Sequence, residues 1–174
     1  MRTPVYAIID LKSRTSARYE IDEAMYKRYI GGKTLGARLL HDMTSAGIDP
    51  LGADAVVIIN TSPANGTGAP CSSRFNMTFK NVLTGGIASS NCGGQFGVML
   101  KRAGYDGIIL KGQSAKPCTL TIVDGKATVS DAGDLWGKDA EETQHAFPKI
   151  YGKLVIGPAG EHLVRYAAAV SGER

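Results

Sequence analysis

The sequence has no apolar run approaching the ~20 residues needed to cross a bilayer, and its first residues, Met1 to Arg14, lack the basic-then-apolar layout of a secretory signal. It also has no CxxC pair. Cys71, Cys92 and Cys118 stand far apart, so neither a zinc site nor a disulfide framework can be read from their spacing. These absences lead us to expect a soluble, cytoplasmic protein with reduced thiols and no membrane contact. Twenty basic against 16 acidic residues give a net charge of +4, but the Lys and Arg residues are scattered and form no basic stripe of the kind that marks nucleic-acid binders. Nucleic acid is therefore not the expected partner. A basic pocket for a small anionic ligand fits the same balance.

What the sequence holds in abundance is glycine, 22 of 174 residues, well above the roughly 7% average share. The glycines have no fixed period and lie between apolar runs, which implies tight turns and close backbone approaches rather than a low-complexity tract. A hydrophobic share of 43% over this length suits one compact domain spanning residues 1–174. Val5–Leu11 and Ala17–Ile21 read as a hairpin around a polar turn. Asp22 is placed to cap a helix through Tyr29, and Leu35, Leu39, Leu40 and Met43 continue at helical spacing beyond Gly31-Gly32. Strands are expected at Ala55–Asn60 and Arg74–Lys80, followed by a glycine-rich loop over residues 81–97 that opens a short helix stopped by Gly104. Tyr105–Leu110 and Cys118–Val123 read as strands, with Asp124-Gly125 turning the latter into Lys126–Ser130. A helix over Asp139–Phe147 and strand-like runs at Leu154–Ile156 and Leu163–Val170, joined by a turn at Gly157–Gly160, complete a mixed α+β domain without a visible repeat.

Three segments are candidates for chemistry. Gly31-Gly32-Lys33-Thr34 suggests a phosphate loop, but Lys27 stands where the first glycine of that motif belongs, and a close-packed helix joint is the better reading. Asn65–Arg74 lacks a dinucleotide fingerprint because Cys71 replaces the third glycine. It delivers Arg74 to the start of a strand, where its forked donors suit either solvent or a phosphate or planar heterocycle. Thr84–Gly97 places small residues before a helix, which fits a phosphate cradle at the helix N-terminus, with Gly93 and Gly94 giving close access, and equally a capping turn with Asn91 as N-cap. Cys92 in that setting is the one thiol placed for activation. His41, His145 and His162 have no metal-ligand spacing, and Asp139, Glu141 and Glu142 read as a solvated first helical turn.

The blocks Tyr29–Leu40, Asp49–Leu51, Thr67–Pro70, Ser73–Asn76, Leu83–Gly86, Ser90–Gly97, Leu100–Asp106, Leu135–Lys138 and Ile156–Glu161 resemble, in this order, the N-terminal domain of tungsten-pterin aldehyde ferredoxin oxidoreductases. The resemblance runs from about Val5 to Val170. It implies a sheet-rich base of two related halves with a few short helices, carrying a tungsten (sometimes molybdenum) ion held by two pyranopterin dithiolenes. By motif match Arg74 takes the place of the family arginine between a pterin and the iron–sulfur cluster. Asn91 takes that of the asparagine at the pterin phosphates and their bridging magnesium, Gly93 and Gly94 match backbone positions near phosphate, and Cys92 stands where a small residue is common.

The resemblance also implies partners. The cysteines of a 4Fe-4S cluster, the remaining pterin contacts and the substrate pocket belong to further domains or a second subunit, and three scattered cysteines do not match the cluster motif. The implied reaction is oxidation of an aldehyde substrate to a carboxylic acid with electrons passed to ferredoxin. A non-catalytic module for a pterin or other phosphorylated ligand, and a ligand-free remnant, are the alternatives. An uncovered ligand face would also favour self-association into a homo-oligomer.

Overall fold

The computed structural model describes residues 3–172. β1 (Val5–Asp10) and β2 (Thr15–Glu20) form the expected hairpin, its turn held by the Asp10 carboxylate, which accepts from the Lys12 and Ser13 N–H groups at 3.0 and 3.1 Å. α1 (Glu23–Tyr29) starts at Asp22, whose side chain accepts from the Met25 N–H at 2.9 Å, and α2 (Gly32–Met43) follows the Gly31 joint. β3 (Val56–Thr61), β4 (Arg74–Lys80), β5 (Ile87–Gly93), α3 (Phe96–Arg102) and β6 (Gly107–Lys111) then complete one six-stranded sheet of order β2-β1-β6-β3-β4-β5. β7 (Cys118–Val123) and β8 (Lys126–Asp131) form a separate hairpin across Asp124 and Gly125, both at positive φ, as the two-residue turn requires. α4 (Ala140–His145) opens with a capping box between Asp139 and Glu142, and α5 (Pro158–Glu161) is a single helical turn.

The sheet contains a repeat that is not visible in the sequence. Strand, strand, helix, strand occurs twice: β1, β2, α1/α2, β3 and then β4, β5, α3, β6. Exchanging the two units turns the strand order into its own reverse, which accounts for the two related halves the resemblance implies. The halves differ in one direction: β1 and β6 run parallel, whereas β3 and β4 run antiparallel. The helices explain this. α1 and α2 carry the chain along the sheet, so that β3 enters from the far end. The seven-residue α3, about 10 Å long, returns the chain close to where β5 ends.

Alternation along the strands fills both faces. Tyr6, Ile58 and Ile109 pack beneath Leu35 and Leu39 of α2, while Val5, Ala7, Ile9, Ile59 and Ile108 meet Leu100 of α3 and Ala127 of β8 on the other side. Having two covered faces explains the nearly continuous apolar runs of β1, β3 and β6.

Two sequence expectations are corrected here. Residues 87–93 are not loop: they form β5, paired along its full length with β4, because the alternation in Ile87–Gly93 is carried by small residues that do not register as strand formers. Neither residues 154–156 nor residues 163–170 form a strand. A single bridge between Val155 and Val170 is their only ladder contact, and the turn at 157–160 winds into α5.

Candidate functional site

The edge formed by β4 and β5 gathers the five predicted site residues and divides them between two clefts. Register pairs Arg74 with Gly93, Phe75 with Cys92, and Asn76 with Asn91. Since strand side chains alternate, Asn76 and Asn91 lie on the α2 face, and Phe75 and Cys92 on the α3 face.

The first cleft, about 260 Å³, is lined by Arg74 and Asn91 with Gly32, Thr61, Ser62 and Asn60. Arg74 is exposed, and its backbone is fixed from behind: the buried Asn65 amide donates to the Arg74 carbonyl at 2.8 Å while packing against Gly97. α2 begins at Gly32, which lines the cleft, and has no side-chain cap. Asn60 is fully buried, its Oδ1 accepting from the Tyr6 hydroxyl at 2.6 Å, and its Nδ2 has no protein partner. Burial, and secondarily the nearby Asp106, push the Tyr6 phenol well above its ordinary pKa, so it remains a neutral donor.

The second cleft, about 760 Å³, lies on the other side of β5 between Gly93-Gly94 and the chain after α4, and Cys92, Gln144, Lys149 and Lys153 also line it. Gln144 is buried, and its Oε1, an acceptor, lacks a partner. A Cβ at Gly93 would meet nothing nearer than the Ser73 carbonyl at 3.7 Å. At Gly94, where φ is +100°, it would meet nothing within 4 Å. The backbone there is open to the cleft rather than packed against protein. Lys153 donates to the Gln144 carbonyl at 2.7 Å and so joins the two sides of the segment.

One of the two readings of this loop made Asn91 a helix cap, and Cys92 was placed beside the helix N-terminus. Both lie inside β5. α3 starts at Phe96 with Gln95 as its N-cap, and Cys92 Sγ, half-buried, sits 3.3 Å from the Gly93 carbonyl, which removes the basis for a nucleophilic thiol. Sequence reasoning also missed Gly32, Gln144, Lys149 and Lys153. Gly31-Gly32 was the one available signal, and the joint reading is correct in part, since a Cβ at Gly31 would press on the Thr61 carbonyl at 3.1 Å.

The unsatisfied Asn60 donor, the cations and the bare backbone fit a phosphate-bearing, polyanionic ligand. No group of three or more His, Cys, Asp or Glu side chains among the described residues is placed to hold a metal ion, so a metal above this edge would take its ligands from an organic chelator or from elsewhere in the protein.

A family model described as the aldehyde ferredoxin oxidoreductase N-terminal domain matches residues 6–174. The chain belongs to this family. Among curated family relatives, the tungsten-containing aldehyde ferredoxin oxidoreductases of Pyrococcus furiosus and Thermococcus kodakarensis are 39% and 40% identical over 157 residues, 87% of this chain and 26% of each relative. The chain thus spans about a quarter of the length of the curated relatives it matches. The aliphatic sulfonate oxidoreductase WOR-like subunit of Pyrococcus furiosus is 28% identical over 94% of this chain. Among solved structures, the active site complex BamBC of benzoyl coenzyme A reductase, in complex with 1,5 dienoyl-CoA, superposes with a TM-score of 0.94 and 30% identity, covering 99% of this chain and 28% of that one. The family fold is therefore that of a sheet-dominated oxidoreductase domain with a few short helices. No helix among the described residues is long and apolar enough to cross a membrane.

Proposed function

We propose that this chain forms part of the bed for a tungsten or molybdenum bis-pyranopterin, within a larger chain or complex that oxidises aldehydes to carboxylic acids. The observation that carries the reading is the β4–β5 edge, where two clefts with orphaned buried amides, cationic side chains and open glycine backbone lie back to back in a member of this family. The aldehyde class is taken from the relatives at 39–40% identity.

When bound, the cofactor supplies a two-electron oxidation, R–CHO + H₂O → R–COOH + 2 e⁻ + 2 H⁺, with the electrons leaving through a 4Fe-4S cluster to ferredoxin. The residues of this chain bind and orient. Arg74 offers planar, forked N–H donors to a phosphate or pterin edge, and Asn65 holds the backbone from which it projects. Gly93 and Gly94 let an anion approach main-chain N–H groups, with Lys149 and Lys153 adding positive charge on the facing wall. Magnesium, which the resemblance implies at the phosphates, would be held by the phosphate oxygens and by groups other than the Asn91 side chain. Cys71, Cys92 and Cys118 are unpaired and dispersed, so the cluster ligands are assigned to the remaining domains or to a second subunit. The same partner, or another copy of this chain, would cover exposed apolar residues such as Ile150, Leu163 and Tyr166.

Arg74→Ala in the complete protein tests this assignment. Cofactor content, read as tungsten or molybdenum per chain, is expected to fall roughly tenfold or more through loss of a charged bidentate contact. The thermal midpoint is expected to stay close to wild type, because the side chain is exposed and Asn65 bonds only to its carbonyl. Full cofactor content in this variant would contradict the assignment.

A further inference from the structure

We infer that Asn91 faces the phosphate-bearing ligand with its amide N–H donors rather than its oxygen, and that the buried Asn76 is the positioning residue that sets this orientation. The inference rests on the cofactor reading above and adds which atoms of this chain meet the anion.

An asparagine amide can be turned end for end, so its orientation has to be fixed by a neighbour of known polarity. The backbone supplies that neighbour. One end of the Asn76 amide lies 3.0 Å from the Ser90 carbonyl, which can only accept, so this end is the nitrogen. The other end accepts from the Thr78 hydroxyl at 2.7 Å, in agreement. The same Asn76 nitrogen lies 3.1 Å from the near atom of the Asn91 amide and 2.7 Å from Ser89 Oγ. The NH₂ group has two hydrogens for three neighbours: one serves the Ser90 carbonyl and the other is shared between Ser89 Oγ and the Asn91 amide, and a shared N–H favours an oxygen over a second NH₂ group there, so Asn91 turns its Oδ1 inward. Its NH₂ group is then directed away from Asn76, on the exposed side chain that lines the first cleft with Arg74 and Gly32.

The controlling residue is rigid. Asn76 is 2% exposed and lies in β4 directly opposite Asn91, and Thr78, which anchors its oxygen, is fully buried under Gly36 of α2. The Arg74 guanidinium and the Asn91 NH₂ thus line the cleft together as donors, beside the hydroxyls of Thr61, Ser62 and Ser72. Such a set is complementary to phosphate oxygens and gives no advantage to a cation at the Asn91 side chain.

The test uses the complete protein that carries this chain and measures tungsten or molybdenum and phosphorus per chain, with the thermal midpoint recorded in parallel. Asn91→Asp is expected to retain less cofactor than Asn91→Ala, because its carboxylate replaces a donor with a charge that repels phosphate; both should melt near wild type. Asn76→Ala is expected to lower retention several-fold in the wild-type background and to cause no further loss in the Asn91→Ala background, although it lowers the thermal midpoint in both. Asn91→Asp holding as much cofactor as wild type would overturn the donor orientation. Additive losses for Asn76→Ala would overturn its action through Asn91 and leave it a structural residue. A wild-type protein free of both metals would overturn the cofactor reading and this inference together, whereas metal-bearing wild type with either contrary variant result overturns this inference alone.

Discussion

Gly93 occupies ordinary extended backbone on an open edge, with the Ser73 carbonyl at 3.7 Å as the nearest neighbour of an added Cβ. The protein itself therefore tolerates a methyl group there. Gly93→Ala is expected to leave stability within about 0.5 kcal/mol of wild type, as for surface substitutions generally, while lowering cofactor content by obstructing approach to the backbone. Unchanged metal content by elemental analysis would refute that close approach. Gly94 is a poorer probe because its φ of +100° penalises any side chain with or without a ligand. At this scale the sequence revealed residue type but not direction. Arg74, Asn91, Gly93 and Gly94 are identifiable from their motifs, yet the placing of Asn91 and Cys92 on opposite faces follows from the strand period of β5, which small residues conceal. Lys149 and Lys153 reach the same cleft only through the irregular path of the chain after α4, for which no local pattern codes.

The most demanding contact between elements is the seat of α2 on the sheet. A Cβ at Gly36 would overlap Thr78 Oγ1 and come within 2.6 Å of Asn60 Nδ2, so glycine is what lets the helix close over the polar pair that backs the first cleft. Gly36→Ala is expected to destabilise the protein by about 1–3 kcal/mol through overpacking, measured by denaturant unfolding; a neutral effect would mean that α2 is not held as close as described. The β7–β8 hairpin adds polar contacts to the apolar packing of Ala127: Arg14 to Asp131 at 2.5 Å, the Ser16 hydroxyl to the Ala127 carbonyl at 2.8 Å, and the Tyr105 hydroxyl to the Gly125 carbonyl at 2.7 Å. The Arg14 hydrogen bond and charge hold the Asp131 carboxyl below the usual carboxylate range. A depressed folded-state pKa contributes stability above the ordinary value and loses it as pH falls through the folded one. Carboxyl titration by NMR is thus expected to give Asp131 a low midpoint that returns to the ordinary range in Arg14→Ala. The same midpoint in both proteins would exclude the ion pair as its cause. Most elements were legible because their periodicity and turns agree: the β1–β2 hairpin, the Asp22 cap and the Asp124-Gly125 turn all form where the residues place them. The run 163–170 misled because apolar composition alone does not supply a pairing partner.

As a whole the molecule is a base with a working edge. Its core is closed on both sides of the sheet, yet Tyr166 is 87% exposed and Ile150 71%, and the clefts are lined by Asn60 and Gln144, each with a buried amide atom that the protein does not satisfy. Neither feature stabilises a free-standing chain. Both are explained when further domains or a second subunit close over a bound polyanion, an arrangement compatible with a chain covering 26% of its aldehyde-oxidising relatives. The palindromic strand order agrees with this: exchanging the halves places β5, which carries the site, opposite β2, which is covered in part by the β7–β8 hairpin, so only one edge is left for a ligand. The most direct measurement is native purification of the protein that contains this chain, followed by intact-complex mass and elemental analysis for tungsten, molybdenum and iron. The account predicts an assembly much larger than 18.4 kDa that carries tungsten or molybdenum together with iron. A metal-free species of 18.4 kDa would contradict it.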